Sequence, residues 1–293
     1  MNKLRLAAML LGLLVLTSLS SCTKEGVYNP KMKIQRAYYS STSTEKYLGE
    51  SWNWDGKLLK SIDHYQTNGT IYRTEDFTYD GNRLVRVDNH SNSEYVTYDY
   101  DGKVLKSADY YYKGSLEIST AYTYDKGKLT KMVVTDYDAK KSKMENHLLN
   151  AILPFQSEVV EVVSKFMAEA SARRTEKYVY TGTLQFTWDG DNVSKITCTS
   201  ELGSETYFVT LAMQYDSKNN PLKGFHDLYS DTYYVEDKIW SKNNVTKLIT
   251  EASFDIVDGA IDYIYQYNDN DYPIMVITRI EHEEDVTAYY EYE

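Results

Sequence analysis

Residues 77–87 read Phe77-Thr78-Tyr79-Asp80-Gly81-Asn82-Arg83-Leu84-Val85-Arg86-Val87. Apolar and polar side chains alternate up to Tyr79, which is the period of a strand with one buried face. Asp80-Gly81 then offers a residue that tolerates positive φ, the usual hairpin signal. Leu84 opens a return strand, with a cation two residues on. The stretch describes one antiparallel hairpin.

The same pattern recurs along the chain. Earlier and later copies are Trp52-Asn53-Trp54-Asp55-Gly56, Tyr98-Asp99-Tyr100-Asp101-Gly102, and Tyr122-Thr123-Tyr124-Asp125-Lys126-Gly127. Further on stand Phe186-Thr187-Trp188-Asp189-Gly190 and Met213-Gln214-Tyr215-Asp216, with degenerate copies at Trp240 and Tyr267. The residue before the turn is aromatic every time: Trp54, Tyr79, Tyr100, Tyr124, Trp188, Tyr215, Trp240 and Tyr267. We assign these eight a structural role in the repeat core. Eight hairpins of about 25 residues give up to about 16 strands, each hairpin with an aromatic face and a polar face. The aromatic face must be covered, because a lone hairpin is not stable. A barrel and a wrapped sheet both satisfy that demand.

One interval is longer, 64 residues between Tyr124 and Trp188. There Val159, Val162, Val163, Phe166, Met167 and Ala170 recur at helical spacing. Leu148, Leu149 and Ile152 make a shorter helical turn before Pro154. The expectation is a mainly β fold with one inserted helical segment, at about 140–174, packed on the aromatic face.

Composition agrees with a β fold. The 293 residues include 30 Tyr, which suits half-buried sheet faces, and the hydrophobic share of 42% supports a core. The net charge of −11 disfavours nucleic acid and anionic membrane surfaces as partners. With two cysteines, Cys22 and Cys198, there is no zinc cluster and no disulfide framework.

The N-terminus is an address. Lys3 and Arg5 precede an apolar run of about 11 residues from Leu6 to Leu16, too short to span a bilayer. Residues 1–21 are therefore expected to be a signal peptide, 22–37 a tether, and 38–293 the hairpin-repeat domain. Leu19-Ser20-Ser21-Cys22 resembles the bacterial lipobox, which implies that Cys22 is lipidated and anchors the chain to a membrane. By the same resemblance, Thr23 after the cysteine suggests the outer membrane. Lys24-Glu25 resembles a charged tag for surface export, so periplasmic and surface-exposed placements both stay open.

Tyr-Asp-Gly followed by Leu-x-Lys is similar to the YD/RHS-type hairpin repeats. With the lipobox, the chain resembles uncharacterised Bacteroidetes repeat lipoproteins (domains of unknown function), some assigned a porin-like barrel. The resemblance implies architecture and supplies no catalytic residues. Intervals here vary, and the fixed Gly-Arg of true RHS loops is missing. A membrane-spanning barrel is disfavoured, because its lipid face is mainly aliphatic with aromatics confined to two girdles. Here aromatics recur within each strand.

Chemistry is thin. Of five histidines, His64, His90 and His226 lie nine or ten residues past their turn Asp, so His64 and His90 could approach one another. Strand-end histidines explain them without a metal, and no metal or cofactor is expected. Asn268-Asp269-Asn270-Asp271, Glu281-His282-Glu283-Glu284-Asp285 and Asp189-Gly190-Asp191-Asn192 lack the twelve-residue spacing of a calcium loop. The motifs Gly-x-Ser-x-Gly and His-Glu-x-x-His are missing. Cys198 suits an inert core position. Tyr110-Tyr111-Tyr112, Tyr233-Tyr234 and Tyr289-Tyr290 cannot all point inward. Tyr110, Tyr111, Tyr112, Tyr233 and Tyr234 are therefore candidate ligand-contact aromatics, with cross-strand ladders as the plainer reading.

These features point to a non-enzymatic outer-membrane or surface lipoprotein that binds or scaffolds at the cell envelope, its partner a glycan, a peptide, a protein or an apolar ligand. A structural subunit of an envelope complex and a glycan-directed hydrolase are the alternatives.

Overall fold

The computed structural model describes residues 28–89, 91–137, 180–202, 205–225, 241–252, 259–280 and 284–293. In chain order its strands are β1 (Ile34–Ser41), β2 (Tyr47–Asp55), β3 (Leu58–Tyr65), β4 (Ile71–Asp80), β5 (Arg83–Asn89), β6 (Glu94–Asp101), β7 (Val104–Tyr112) and β8 (Ser115–Asp125). There follow β9 (Lys128–Asp136), β10 (Tyr180–Asp189), β11 (Asn192–Leu202), β12 (Glu205–Tyr215), β13 (Val245–Ala252), β14 (Gly259–Tyr267), β15 (Pro273–Ile280) and β16 (Val286–Tyr292). Each strand pairs with its sequence neighbours, and β16 pairs back with β1, so the 16 strands close into an antiparallel barrel. Of the two architectures the repeat allowed, the barrel is the one formed. No helix occurs among the described residues. The helical segment expected at about 140–174 lies outside them, as do Cys22, Trp240, Tyr233 and Tyr234. β1 starts at Ile34, inside the stretch expected as tether, because Ile34 and Ala37 already bury their side chains.

The Asp-Gly turns close two-residue loops at one end of the barrel, here called the turn end. Asp55 faces Leu58, and Gly56 between them takes φ 58°. At Lys126-Gly127 both residues take positive φ, 51° and 78°, the geometry of a type I′ turn. Just before each such turn the register slips by one residue, at Asn53/Trp54, Thr78/Tyr79, Asp99/Tyr100, Thr123/Tyr124 and Thr187/Trp188. The extra residue is the one after the return strand's first buried leucine, as Lys60 after Leu59 and Lys106 after Leu105 show. A bulge of this kind raises local twist and re-aims a side chain.

That re-aiming gives the pre-turn aromatics their task. Trp54 Nε1 donates to the Ile34 carbonyl at 2.8 Å, and the Tyr100 hydroxyl to that of Leu84 at 2.8 Å. The Trp188 indole reaches the Leu129 carbonyl at 2.7 Å, and the Tyr215 hydroxyl reaches Val193 at 2.6 Å. Tyr265 and Tyr292 do the same to Val245 and Pro273, each at 2.6 Å. Each bond joins two strands that no turn connects at that end. A cation completes the seam in several repeats. Arg83 lies 5.1 Å over the Tyr100 ring and donates to the Gly102 carbonyl at 2.9 Å. Lys33 does so with Trp54 and Gly56, and Lys128 with Trp188 and Gly190.

Alternation sorts the wall into two faces. The buried row includes Leu59, Ile62, Phe77, Leu84, Val87, Val96, Leu105, Ile118, Leu129, Ile196, Leu211 and Leu248, and it lines the lumen. The outward row carries Asp63, Asp76, Arg86, Asp99, Lys106, Lys131, Lys195, Lys247, Asp262 and Arg279. Cross-strand pairs run along this outer face, such as Lys247–Asp262 at 3.1 Å and Lys106–Asp99 at 3.2 Å. Exposed pairs of this kind add little stability. They place charged side chains along the outer face of the wall.

Candidate functional site in the barrel lumen

The lumen is not uniform along the barrel. Its turn end is apolar and filled. After β12 the chain folds back through Pro221 and Leu222 to Phe225, all buried. The Phe225 ring lies 4.8 Å from Trp52, 5.1 Å from Tyr28 and 6.2 Å from Phe77. The Tyr28 hydroxyl donates to the Pro221 carbonyl at 2.8 Å, so two non-strand segments are tied together in the mouth. Burial raises the Tyr28 pKa well above that of a free tyrosine. At the turn-end rim, just after β12, Asp216 accepts from the Lys218 amide at 2.8 Å, the Asn244 amide at 3.1 Å and the Tyr267 hydroxyl. These acceptor bonds account for Asp216 as a loop anchor. Asn268 holds its own turn in the same way, accepting from the amides of Asn270 and Tyr272 at 3.0 Å each.

The other half of the lumen is charged. The register places Tyr290, Ala37, Glu50, His64 and Arg73 side by side across β16, β1, β2, β3 and β4. One step along β4, Glu75 faces Asn89, which faces Glu94. Glu50, His64, Arg73, Glu75 and Asn89 are all buried, and Glu75 is 0% exposed. His64 stands between two carboxylates, with Nδ1 3.6 Å from Glu50 and Nε2 3.2 Å from Glu75. Arg73 Nε lies 3.3 Å from the same Glu75 oxygen. Trp52 Nε1 donates to Glu50 at 2.9 Å, and Asn89 Nδ2 to Glu94 at 3.3 Å. Tyr110 enters the group from β7. Burial raises its pKa, and the charge of Glu94 raises it further.

Charges this deep are costly unless paired, so their gathering in one half of a lumen marks that half as the candidate site. The described residues hold no group of three His, Cys, Asp or Glu side chains that could bind a metal ion. His90, the expected neighbour of His64, lies outside the described residues.

The tyrosine triplet divides as a strand must. Tyr110 points into the lumen. Tyr111 points outward and stacks on Tyr95 at 4.7 Å, and the Arg86 guanidinium lies 3.7 Å over the Tyr95 ring. Tyr112 is exposed at the mouth. Tyr289 lies outside under Lys46, while Tyr290 is buried inside. Trp54, Tyr79, Tyr100, Tyr124, Trp188, Tyr215 and Tyr267 are half-buried at the turn-end rim and belong to the seams and the loop anchor, away from the charged half.

Sequence reading passed over Glu50, Arg73 and Glu75. A usable signal was present: Arg73 and Glu75 share strand parity with Phe77, and Glu50 with Trp52. A charge in phase with the apolar row is the mark of a buried polar site.

Among solved structures the chain is similar to a porin-like protein from Bacteroides uniformis ATCC 8492, with TM-score 0.51 and 9% identity over 92% of this chain and 100% of that one. A porin-like protein from Bacteroides vulgatus ATCC 8482 matches with TM-score 0.51 and 8% identity over 90% and 99% of the two chains. These likenesses show a porin-like barrel fold. No protein-family model matches the chain, and no curated protein matches it.

Proposed function

We propose that this protein is an envelope lipoprotein, held to the outer membrane through Cys22, whose barrel stands in water and works as a binding or scaffolding module. The polarity of the wall carries this reading. A lipid-facing barrel needs an apolar outer band, and each Arg or Lys at its midplane costs roughly 2–4 kcal/mol. Here Arg86, Lys131, Lys195 and Lys247 lie on the outward row within their strands, while the apolar row lines a lumen plugged by Phe225. A barrel of this polarity needs an anchor to stay at a membrane, and the lipobox-like stretch ending at Cys22 supplies one. Tyr28 is the sixth residue after Cys22, a reach of roughly 20 Å at full extension. Tyr28 sits at the turn end, so that end lies near the lipid and the charged half of the lumen faces away.

Fractionation and mass spectrometry of the full chain test the anchor, with acylated Cys22 in the outer-membrane fraction expected. The chain from residue 23 onward is expected to be a detergent-free monomer that leaves planar bilayers silent. A need for detergent, or stepwise conductance, overturns the water-exposed barrel.

A further inference from the structure

Two segments outside the wall meet in the turn-end mouth. One runs from Tyr28 to Lys33 ahead of β1, and the other is the fold-back from Asn219 to Phe225 after β12. Each has a foot on the rim. Lys33 Nζ donates to the Gly56 carbonyl at 2.7 Å, and the Met32 sulfur accepts from Asn268 at 3.6 Å. The backbone amides of Asn219 and Asn220 donate to the carbonyls of Asp271 and Lys242 at 3.0 and 3.2 Å, and Asn220 Nδ2 donates to the Ser241 carbonyl at 3.1 Å.

Beyond these feet the two tips hold each other. The Phe225 amide donates to the Leu222 carbonyl, and the Leu222 amide to the Asn220 side chain, each at 2.9 Å and each within the fold-back. Among the described residues, Leu222–Phe225 makes no backbone hydrogen bond to a strand of the wall. The tip is seated by the buried side chains of Leu222 and Phe225 and by the Tyr28 hydroxyl, which donates to the Pro221 carbonyl at 2.8 Å. The Tyr28 ring stands 5.1 Å from Phe225 on one side, with the indoles of Trp54 and Trp52 at 5.7 and 6.3 Å. The wall is held differently, by backbone ladders that run all the way round. Local opening costs follow the contacts that must break, so a tip held by side chains opens far more easily than the wall unfolds.

We propose that Tyr28 is the latch of a two-part stopper: release of its ring and hydroxyl frees Leu222–Phe225 to leave the mouth and opens the apolar end of the lumen, with the 16-strand wall intact. The surface uncovered next to Gly224 and Phe225 is formed by Leu59, Phe77 and Leu84. It offers a seat to an apolar group rather than to an ion. The latch lies in the chain between Cys22 and β1, so a movement of that stretch acts on it directly. The device goes beyond the envelope reading and holds whether or not Cys22 is acylated.

Hydrogen–deuterium exchange of the full chain tests the latch, read at the Leu222 and Phe225 amides, whose bonds lie within the fold-back. Tyr28→Phe removes one hydroxyl and is expected to speed their exchange several-fold. Tyr28→Ala empties the seat and is expected to speed it about tenfold or more. Amides of β2 to β5 in the same samples should stay within about twofold of the parent. A core residue with no latch role would loosen wall and tip together, so equal acceleration in β2 to β5 overturns the proposal. Unchanged exchange at Leu222 and Phe225 in Tyr28→Ala overturns it too. Should Tyr28→Ala fail to fold, Tyr28→Phe decides alone: acceleration confined to the fold-back supports the latch, and its absence removes it.

Discussion

The indole N–H of Trp188 donates to the carbonyl oxygen of Leu129 at 2.7 Å and so joins β9 to β10 at the turn-end rim. Residues 137–179 connect these two strands at the far end. A long connection adds only slowly growing closure entropy, and the rim bond holds the seam in register regardless of its length. The same bond in shorter repeats is a repeated device of the wall. Tyr100→Phe removes one such hydroxyl and is expected to cost about 1 kcal/mol. Trp188→Phe also loses ring area, and its cost should be larger, about 1–2 kcal/mol. Urea midpoints measure both. Tyr38→Phe, whose exposed hydroxyl reaches Glu291 at 3.3 Å, is the control and should shift stability by less than about 0.5 kcal/mol.

Gly49 sits where β1 and β2 slip register between Ala37 and Tyr38. A Cβ there would lie 2.1 Å from two ring atoms of the buried Tyr39. The ring is wedged into the lumen beside Tyr47 and has little room to yield. Gly49→Ala is therefore expected to destabilise by about 1–3 kcal/mol through overpacking. A thermal midpoint unchanged from the parent would show that the ring moves aside freely.

Much of this architecture was legible in single repeats. Phe77-Thr78-Tyr79-Asp80-Gly81 announces a half-buried strand and its turn, and the eight copies set the strand number. Closure was not legible, because alternation in a wrapped sheet and in a barrel is identical. It depends on Tyr38 facing Tyr289 and Ala37 facing Tyr290, a pairing with no local signature. The lumen site was hidden for a related reason. Glu50 and Glu75 look like ordinary polar positions until the register sets them beside His64 and Arg73. The aromatics were visible but their task was not, since the bulge that turns Trp54 and Tyr100 sideways follows from one extra residue on the opposite strand.

Buried tyrosines make stability depend on alkaline pH. Burial raises the pKa of Tyr28, Tyr110, Tyr290 and Tyr292 above the ordinary value near 10, the first causes being desolvation in each case. Their protonated form is favoured in the folded state. This contribution is complete below about pH 10 and is lost as pH rises from there towards the folded pKa values. Each such tyrosine contributes a slope of up to about 1.4 kcal/mol per pH unit in that window. Absorbance at 295 nm should therefore resolve two groups, exposed tyrosines ionising near pH 10 and buried ones ionising together with the loss of β-sheet ellipticity. Smooth ionisation of every tyrosine with the sheet intact would contradict the burial.

Cys198 lies on the lumen row of β11, and burial pushes its thiol up to about 12. Thiolate is the reactive species, so a buried thiol with a raised pKa is inert at neutral pH. The chain from residue 23 onward should give no fast reaction with a disulfide reagent at pH 8 and one equivalent in denaturant. Reaction should track unfolding when both are followed across a urea series. Fast labelling of the folded chain would place Cys198 at an open surface.

Arg73 and Glu75 provide the sharpest test of the lumen charges. Glu75 is fully buried and shares one carboxylate oxygen between Arg73 Nε at 3.3 Å and His64 Nε2 at 3.2 Å. Removing one partner of a buried pair leaves the other charge stranded, at a cost of about 3–5 kcal/mol. Arg73→Met is expected to fall in that range. The double variant Arg73→Met with Glu75→Leu removes both charges and restores apolar volume next to Phe77, so it should recover most of the loss. Equilibrium unfolding of the two single variants and the double variant gives the coupling energy directly. Additive losses would mean that the pair does not interact in the folded protein, and the lumen site would then have to be rebuilt around Glu50 and His64 alone.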